Sequence, residues 1–394
     1  MKLSRKAMGI TPSPTLAIDA RAKQMKKEGI DIIGFGAGEP DFDTPLHIRE
    51  AAEAAIREGF TRYTAVSGIP ELKEAICAKL WRDNGLHYTP DQVVVSNGAK
   101  HSLANIFTAI LDPGDEVLIP VPYWVSYPEQ VKLADGVPVF VDPEQGALTV
   151  DLLHKQVTPR TRAIVINSPG NPSGQVYSRA ELAAVAECAV KNDLWIVADE
   201  VYEKLLYGTA EHVSIASLSD EIKARTVIVN GVSKAYAMTG WRIGYTASEP
   251  KLAVAMDSIQ SHLTSNPNSI AQKAALAALQ GPQECVEEMR RVFDERRIYM
   301  CERISQMPLL SYREPQGAFY LFADATQACG RSFRGSVIKD ADDLAALLLE
   351  HYRVAAVPGR GFGAPNCLRL SYATYMENIR EGMDRLAAFL HELQ

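Results

Sequence analysis

The sequence predicts an α/β protein: a mostly parallel sheet covered by helices, joined to a smaller α+β domain. Three observations carry that reading. Short apolar runs such as Val93-Val94-Val95, Ala163-Ile164-Val165-Ile166 and Val227-Ile228-Val229 read as strands buried on both faces. Amphipathic segments of helical length separate them, as crossovers between parallel strands require. Beyond Tyr245 the pattern changes to long helices and a few isolated strands, which marks a second unit.

Composition agrees and excludes several classes of function. The 394 residues are 47% hydrophobic and 23% charged, enough for a large core divided between two domains. The formal net charge is −7 and no basic stripe is present, so no nucleic-acid partner is expected. Acidic substrates therefore need a local positive site. Cys77, Cys188, Cys285, Cys301, Cys329 and Cys367 are scattered without a CxxC pair, which points to reduced thiols and a cytoplasmic protein. The eight histidines have no ligand spacing, so no metal is expected. No apolar run approaches the roughly 18 residues of a membrane span, and the N-terminus has no signal-like apolar segment.

The elements follow in order. Residues 1–15, broken by Pro12 and Pro14, read as an extended arm. A helix over Leu16 to Lys27 precedes a strand at Ile32-Ile33, whose exit turn holds Gly36 and Gly38 and lets backbone approach a ligand. Pro45 to Glu58 is a helix, and Gly68-Ile69-Pro70 opens another. Val93–Val95 runs into Gly98-Ala99-Lys100 at a helix start, where free N–H groups can take a phosphate. Strands follow at Glu116–Pro120, before Tyr123-Trp124, and at Val137–Val141. Another at Ala163–Asn167 precedes Asn171-Pro172-Ser173-Gly174. Residues 179–192 form a helix, and Trp195–Asp199 is a strand ending in two carboxylates. A helix over Gln283–Gln306 is long enough to join two domains. Strands at 317–322, 354–358 and 367–372 alternate with helices at 341–352 and 376–392. The expected division is an arm (1–15), a small domain (16–44 and 285–394) and a large domain (45–284).

Ligands of parallel sheets sit at the carboxyl ends of the strands. Lys100, Asn171, Asp199 and Lys234 all fall there. A lysine at a strand end in apolar surroundings can lose its proton and attack a carbonyl, which is how pyridoxal phosphate (PLP) is held. Arg242, between Gly240 and Gly244, suits a phosphate. From spacing alone, a surface lysine and a structural arginine fit equally well.

Five ordered motifs narrow the choice. Gly38-Glu39-Pro40-Asp41, Asn171-Pro172-Ser173-Gly174, Asp199-Glu200-Val201-Tyr202, Ser233-Lys234 through Tyr245, and Arg369-Leu370-Ser371 span the chain. Together they resemble the class I aminotransferases of the aspartate aminotransferase superfamily. That likeness implies the type I PLP fold, with a large domain built on a sheet of the seven-stranded type. It implies that Lys234 holds the cofactor as a Schiff base and then moves the proton between substrate Cα and cofactor C4′. Asp199 would pair with the ring nitrogen, Tyr202 and Asn171 with the ring oxygen, and Trp124 would stack on the ring. Gly98, Ala99, Ser233 and Arg242 would hold the phosphate, joined by Tyr63 from a second subunit of a homodimer. Gly231 stands where many relatives have a phosphate-binding serine, a departure from the pattern. Arg369 would bind the substrate α-carboxylate, supported by Gly38 and Asn171.

Substrate choice rests on one turn. Gly98-Ala99-Lys100 and the segment Tyr123 to Pro128 are similar to a bacterial aspartate aminotransferase subgroup that uses a lysine for the distal carboxylate. Lys100 is then the candidate, with Thr15 assisting. The expected reaction moves the amino group of L-aspartate to 2-oxoglutarate by a ping-pong route. The alternatives are an aromatic, alanine or prephenate aminotransferase, a PLP-dependent β-lyase, or a non-catalytic PLP-binding regulator. Thr11 before Pro12, where prephenate-using members tend to carry a basic residue, disfavours prephenate.

Overall fold

In the computed structural model, residues 2–12, 14–143 and 147–394 are described; the side chains of residues 14–17 and 19 are not. Seven strands form the central sheet: β1 (Val93–Ser96), β2 (Glu116–Pro120), β3 (Val137–Val141), β4 (Thr161–Asn167), β5 (Trp195–Asp199), β6 (Thr226–Gly231) and β7 (Gly244–Ala247). Their spatial order is β1-β7-β6-β5-β4-β2-β3. The pairs from β6 across to β3 are parallel, and β7 alone runs the other way, antiparallel to both β1 and β6.

The apolar runs form strands because alternate residues feed separate cores. Val94, Val117, Ile119, Val165, Val197 and Val227 pack on one face, against Leu103, Ile106 and Met256 of the helices Ala99–Ile110 and Pro250–Leu263. Leu118, Ile164, Ile166 and Ile196 pack on the other, under Leu182 and Val185 of the helix Arg179–Asn192. That helix opens on a capping box between Ser178 and Glu181, the sequence signal that fixes its first turn.

A separate core gathers a four-stranded antiparallel sheet, including Tyr320–Asp324 and Cys367–Ser371, with the helices Ala341–Tyr352 and Met376–His391. Tyr202, Leu205 and Tyr207, just past β5, pack into this same core. The 22-residue helix Glu284–Ser305 contributes Phe293 and Met300 to it. Buried Arg296 of that helix forks onto Asp41 at 2.7 and 2.9 Å, tying it to the Gly38–Asp41 turn.

Three local expectations change. The arm is not extended throughout: Arg5–Met8 makes a helical turn capped by Ser4, and a helix begins at Pro14. Lys6 reaches Asp135 at 2.7 Å, so long-range contacts overrule the proline signal there. The run 354–358 is two short strands in different sheets, Val354–Ala355 beside Ile33–Gly34 and Val357–Pro358 beside Cys367–Ser371. Strand β7 begins in the last two residues of the stretch read as a motif and runs two residues into the part read as helical, since its glycine and polar residues hide its pattern.

Candidate active site

The carboxyl ends of β1, β2, β4, β5 and β6 converge, and they bring most of the expected residues together. Lys234 follows β6 within a tight turn, and its Nζ donates to Gly38 O at 2.6 Å. The amine lies 5.9 Å from the Tyr202 ring centroid and 5.8 Å from that of Phe319. Burial, outweighing the attraction of Glu39, lowers its pKa to about 8, with Arg242 and Arg369 acting in the same direction. A neutral amine is therefore accessible near physiological pH.

Asp199 ends β5 and is 4% exposed. Its Oδ2 accepts the Tyr127 hydroxyl at 2.6 Å, and Val201 N approaches Oδ1 at 3.4 Å. Burial pushes this carboxyl up to about 6, against the pull of Tyr127 and Val201. Among the described residues no cation forms an ion pair with it. A buried carboxylate so placed is matched by a protonated heterocyclic nitrogen.

Arg369, on the strand Cys367–Ser371, is 2% exposed. Its guanidinium donates to Asn171 Oδ1 at 3.0 Å and to Gly36 O at 2.9 Å, and stands 4.5 Å over the Tyr320 ring. Its Nε has no partner, and among the described residues no carboxylate pairs with it. A buried arginine without an anion invites one. Tyr202 and Tyr320 share a hydroxyl–hydroxyl bond of 3.0 Å beside it.

The end where a phosphate is expected is built from the turns after β1 and before β7. Gly98 has φ +83°, and a Cβ there would fall 2.3 Å from an Arg242 guanidinium nitrogen, so only glycine allows this approach. Arg242 donates to Thr239 O at 2.9 Å and to Asn97 O at 3.3 Å, and among the described residues it has no carboxylate partner. The helix Ala99–Ile110 has no side-chain cap and no acidic residue in its first turn. Together these leave an anion site at a helix N-terminus. Gly231 also finds its reason here. A Cβ would lie 2.9 Å from Ile243 O and 3.0 Å from Gly244 Cα, so the paired strands β6 and β7 leave no room for a serine.

Lys100 places Nζ 5.0 Å over the Trp124 ring, and Trp124 meets Tyr127 edge-on at 5.4 Å. Burial and then the Arg242 charge lower the Lys100 pKa. Tyr63 is 89% exposed and stands apart from these groups. Thr15 lies outside the described side chains. Ser233 is half-buried in the Lys234 turn. Tyr127, Tyr320 and the Gly36 carbonyl contact was not anticipated. Tyr127 lies in the Tyr123–Pro128 segment singled out above, but nothing there marked its bond to Asp199.

A lowered-pKa lysine, an unpaired buried carboxylate, an anion cradle and an unpaired buried arginine fit one cofactor, pyridoxal phosphate, with an amino-acid carboxylate beside it. That set defines the site of a PLP-dependent protein. The sequence model for aminotransferase class I and II matches residues 30–386, and the chain belongs to that family. It is 52% identical to an aspartate aminotransferase of Geobacillus stearothermophilus, over 99% of both chains. It is 49% identical to an aspartate/prephenate aminotransferase of Nitrosomonas europaea, over 99% of this chain and 100% of that one. The aspartate aminotransferase structure from Rhizobium meliloti superposes with TM-score 0.96 at 44% identity, covering 100% of both chains. One from Thermus thermophilus with maleate gives 0.92 at 43%, covering 99% of this chain and 100% of that one.

Proposed function

We propose that the enzyme moves the amino group of L-aspartate to 2-oxoglutarate, giving oxaloacetate and L-glutamate in two half-reactions at one site. Bound at Lys234, PLP supplies an electron sink that makes the substrate Cα proton acidic. The remaining work belongs to the chain. Arg369 grips the α-carboxylate through its fork, with Asn171 and Gly36 fixing the guanidinium plane. Asp199, oriented by Tyr127, keeps the ring nitrogen protonated. Lys234 would take the proton from the substrate Cα and deliver it to the cofactor's C4′. Trp124 covers the ring face, and Lys100 above it meets the distal carboxylate. Tyr202 and Asn171 hold the ring oxygen, while Gly98, Ala99, Ser233 and Arg242 hold the phosphate.

The observation that carries this reading is Arg369: a buried guanidinium with no carboxylate partner among the described residues, set beside a lysine of depressed pKa. The aspartate-using relatives support the substrate. The reading includes a homodimer in which the outward Tyr63 reaches the partner's phosphate site, a small domain of residues 16–44 and 285–394, and a cytoplasmic location. The six free cysteines agree with the last point. Relatives named for aspartate and prephenate favour a second acceptor, prephenate.

The test adds L-aspartate, L-phenylalanine, L-alanine and L-cysteine separately to cofactor-loaded enzyme and follows its visible absorbance. Low aspartate bleaches the band, and 2-oxoglutarate, or prephenate if it is also an acceptor, restores it. An unchanged band with aspartate, alongside bleaching by an aromatic or small amino acid, refutes the substrate assignment.

A further inference from the structure

Behind the strand end that carries Asp199 lies a second group of buried charges that the reaction does not use. Glu200 Oε1 accepts the Ser214 hydroxyl at 2.7 Å, and its Oε2 lies 3.3 Å from His212 Nε2. Glu203, in the same turn, accepts Asn230 Nδ2 and Asn84 Nδ2, each at 2.9 Å, and pairs with Lys79. The side chains of Glu200, Glu203, His212 and Lys79 are 4%, 7%, 6% and 4% exposed. An outer layer surrounds them: Asp83 is 3.8 Å from Lys79 and is met by Lys204 at 2.8 Å and Arg82 at 2.9 Å. Tyr88, Tyr236 and Tyr245 feel the charge of these carboxylates, which adds to burial in raising the pKa of each phenol.

Glu200, Glu203 and His212 offer ligand atoms within 4.8 Å of one another, the spacing of a metal site. Lys79 already occupies Glu203, so the protein itself supplies positive charge there. The inner group then holds two carboxylates against one fixed cation. Lys204 and Arg82 are engaged by Asp83, and His212 is the group that faces Glu200. Burial opposes a charged imidazole, but Glu200 and then Glu203 outweigh it and raise the His212 pKa above the ordinary value.

Glu200 is joined by one peptide bond to Asp199, and its charge makes Asp199 harder to ionise. We propose that His212, held as an imidazolium against Glu200, is a positioning residue for Asp199: it cancels the Glu200 charge, so that the negative charge at this strand end is the one Asp199 presents to the cofactor ring. The backbone of the same turn is tied to the neighbouring strand, since Glu200 N donates to Val229 O at 2.9 Å. The proposal rests on the placement of the ring nitrogen at Asp199.

The experiment uses the cofactor-loaded enzyme and its His212→Gln and His212→Gln/Glu200→Gln variants. The readouts are the pH midpoint of the visible absorption and the melting temperature. His212→Gln leaves one extra buried negative charge, which retains a proton on the Lys234-linked cofactor and raises the midpoint by about half a pH unit. The double variant removes both charges and restores the parental midpoint. An unmoved midpoint in His212→Gln overturns the proposal, and so does an equal displacement in both variants, the mark of a merely structural role. If His212→Gln does not fold, histidine-ring nitrogen NMR of the unsubstituted enzyme decides. One buried ring must remain an imidazolium at pH 7, above the ordinary midpoint of about 6.5; neutral buried rings throughout overturn the proposal. Asp199→Asn separates the two failures. If it leaves the absorption and its pH midpoint unchanged, the ring placement itself is wrong.

Discussion

Replacing Arg369 by lysine keeps a positive charge in the pocket and removes the planar fork. The guanidinium is held on Asn171 Oδ1 at 3.0 Å and Gly36 O at 2.9 Å, so its plane is set before substrate arrives. Lysine cannot satisfy both acceptors and also present two parallel N–H groups. One charge-assisted hydrogen bond to the substrate is lost, worth about 1.5–3 kcal/mol. The expected result is a fall in kcat/KM for L-aspartate of about 10²-fold. Arg369→Leu removes the charge as well and should cost at least ten times more. The thermal midpoint gives the control. Truncating one partner of a structural buried salt bridge costs about 3–5 kcal/mol because a charge is left unpaired. Arg369 leaves no carboxylate behind, so the melting temperature of Arg369→Leu should fall by no more than a few degrees. Steady-state kinetics with a coupled oxaloacetate assay and differential scanning fluorimetry measure both. A kcat/KM within threefold of the parent for Arg369→Lys, or a collapse of stability in Arg369→Leu, refutes the assignment of Arg369 to the substrate carboxylate.

Other perturbations follow from the same geometry. Tyr127→Phe removes the 2.6 Å bond to Asp199, and kcat should drop about tenfold with cofactor still bound, read from kinetics and the visible spectrum. Asp199 has a folded pKa raised to about 6, so its ionisation costs stability as pH rises from about 4 through 6. Cofactor-free Asp199→Asn should therefore be more stable than the parent at pH 7, by on the order of 2–3 kcal/mol, and no more stable at pH 4; urea unfolding at the two pH values checks the sign. The Lys234 pKa, lowered to about 8, predicts that the rate of cofactor capture rises with pH about that midpoint, and stopped-flow absorbance reads it directly. Gly231→Ser should weaken cofactor binding, because the added atoms meet Ile243 O and Gly244 before they reach a phosphate; equilibrium dialysis measures the affinity.

Much of the architecture was legible because both faces of the sheet are buried. Continuous apolar runs such as Glu116–Pro120 and Trp195–Asp199 therefore match their strands end to end. The ordered motifs located Lys234, Asp199 and Arg369, since each lies at or on a strand with an apolar pattern. What stayed hidden depends on distant partners. Tyr127 meets Asp199 across 72 residues, and Tyr202 meets Tyr320 across 118, with no local pattern to announce either bond. Gly36 contributes only a carbonyl to Arg369, and backbone acceptors leave no trace in residue type. Strand β7 escaped because Gly244-Tyr245-Thr246-Ala247 pairs on both sides while carrying little hydrophobic signal of its own. The helical turn at Arg5–Met8 is likewise followed by contacts to residues 129–135, from Lys6 and Thr11.

The place of β7 has a consequence for how the molecule is made. Strand β1 is translated about 150 residues before β7, the strand of this sheet that pairs with it. During synthesis the first strand must wait while the middle of the sheet assembles. The arginine just ahead of β7 closes against Gly98 only when that late strand zips in. The proposed phosphate cradle is thus the last part of the sheet to be completed. A phosphate held between Gly98 and Arg242 would therefore require β7 to be in place.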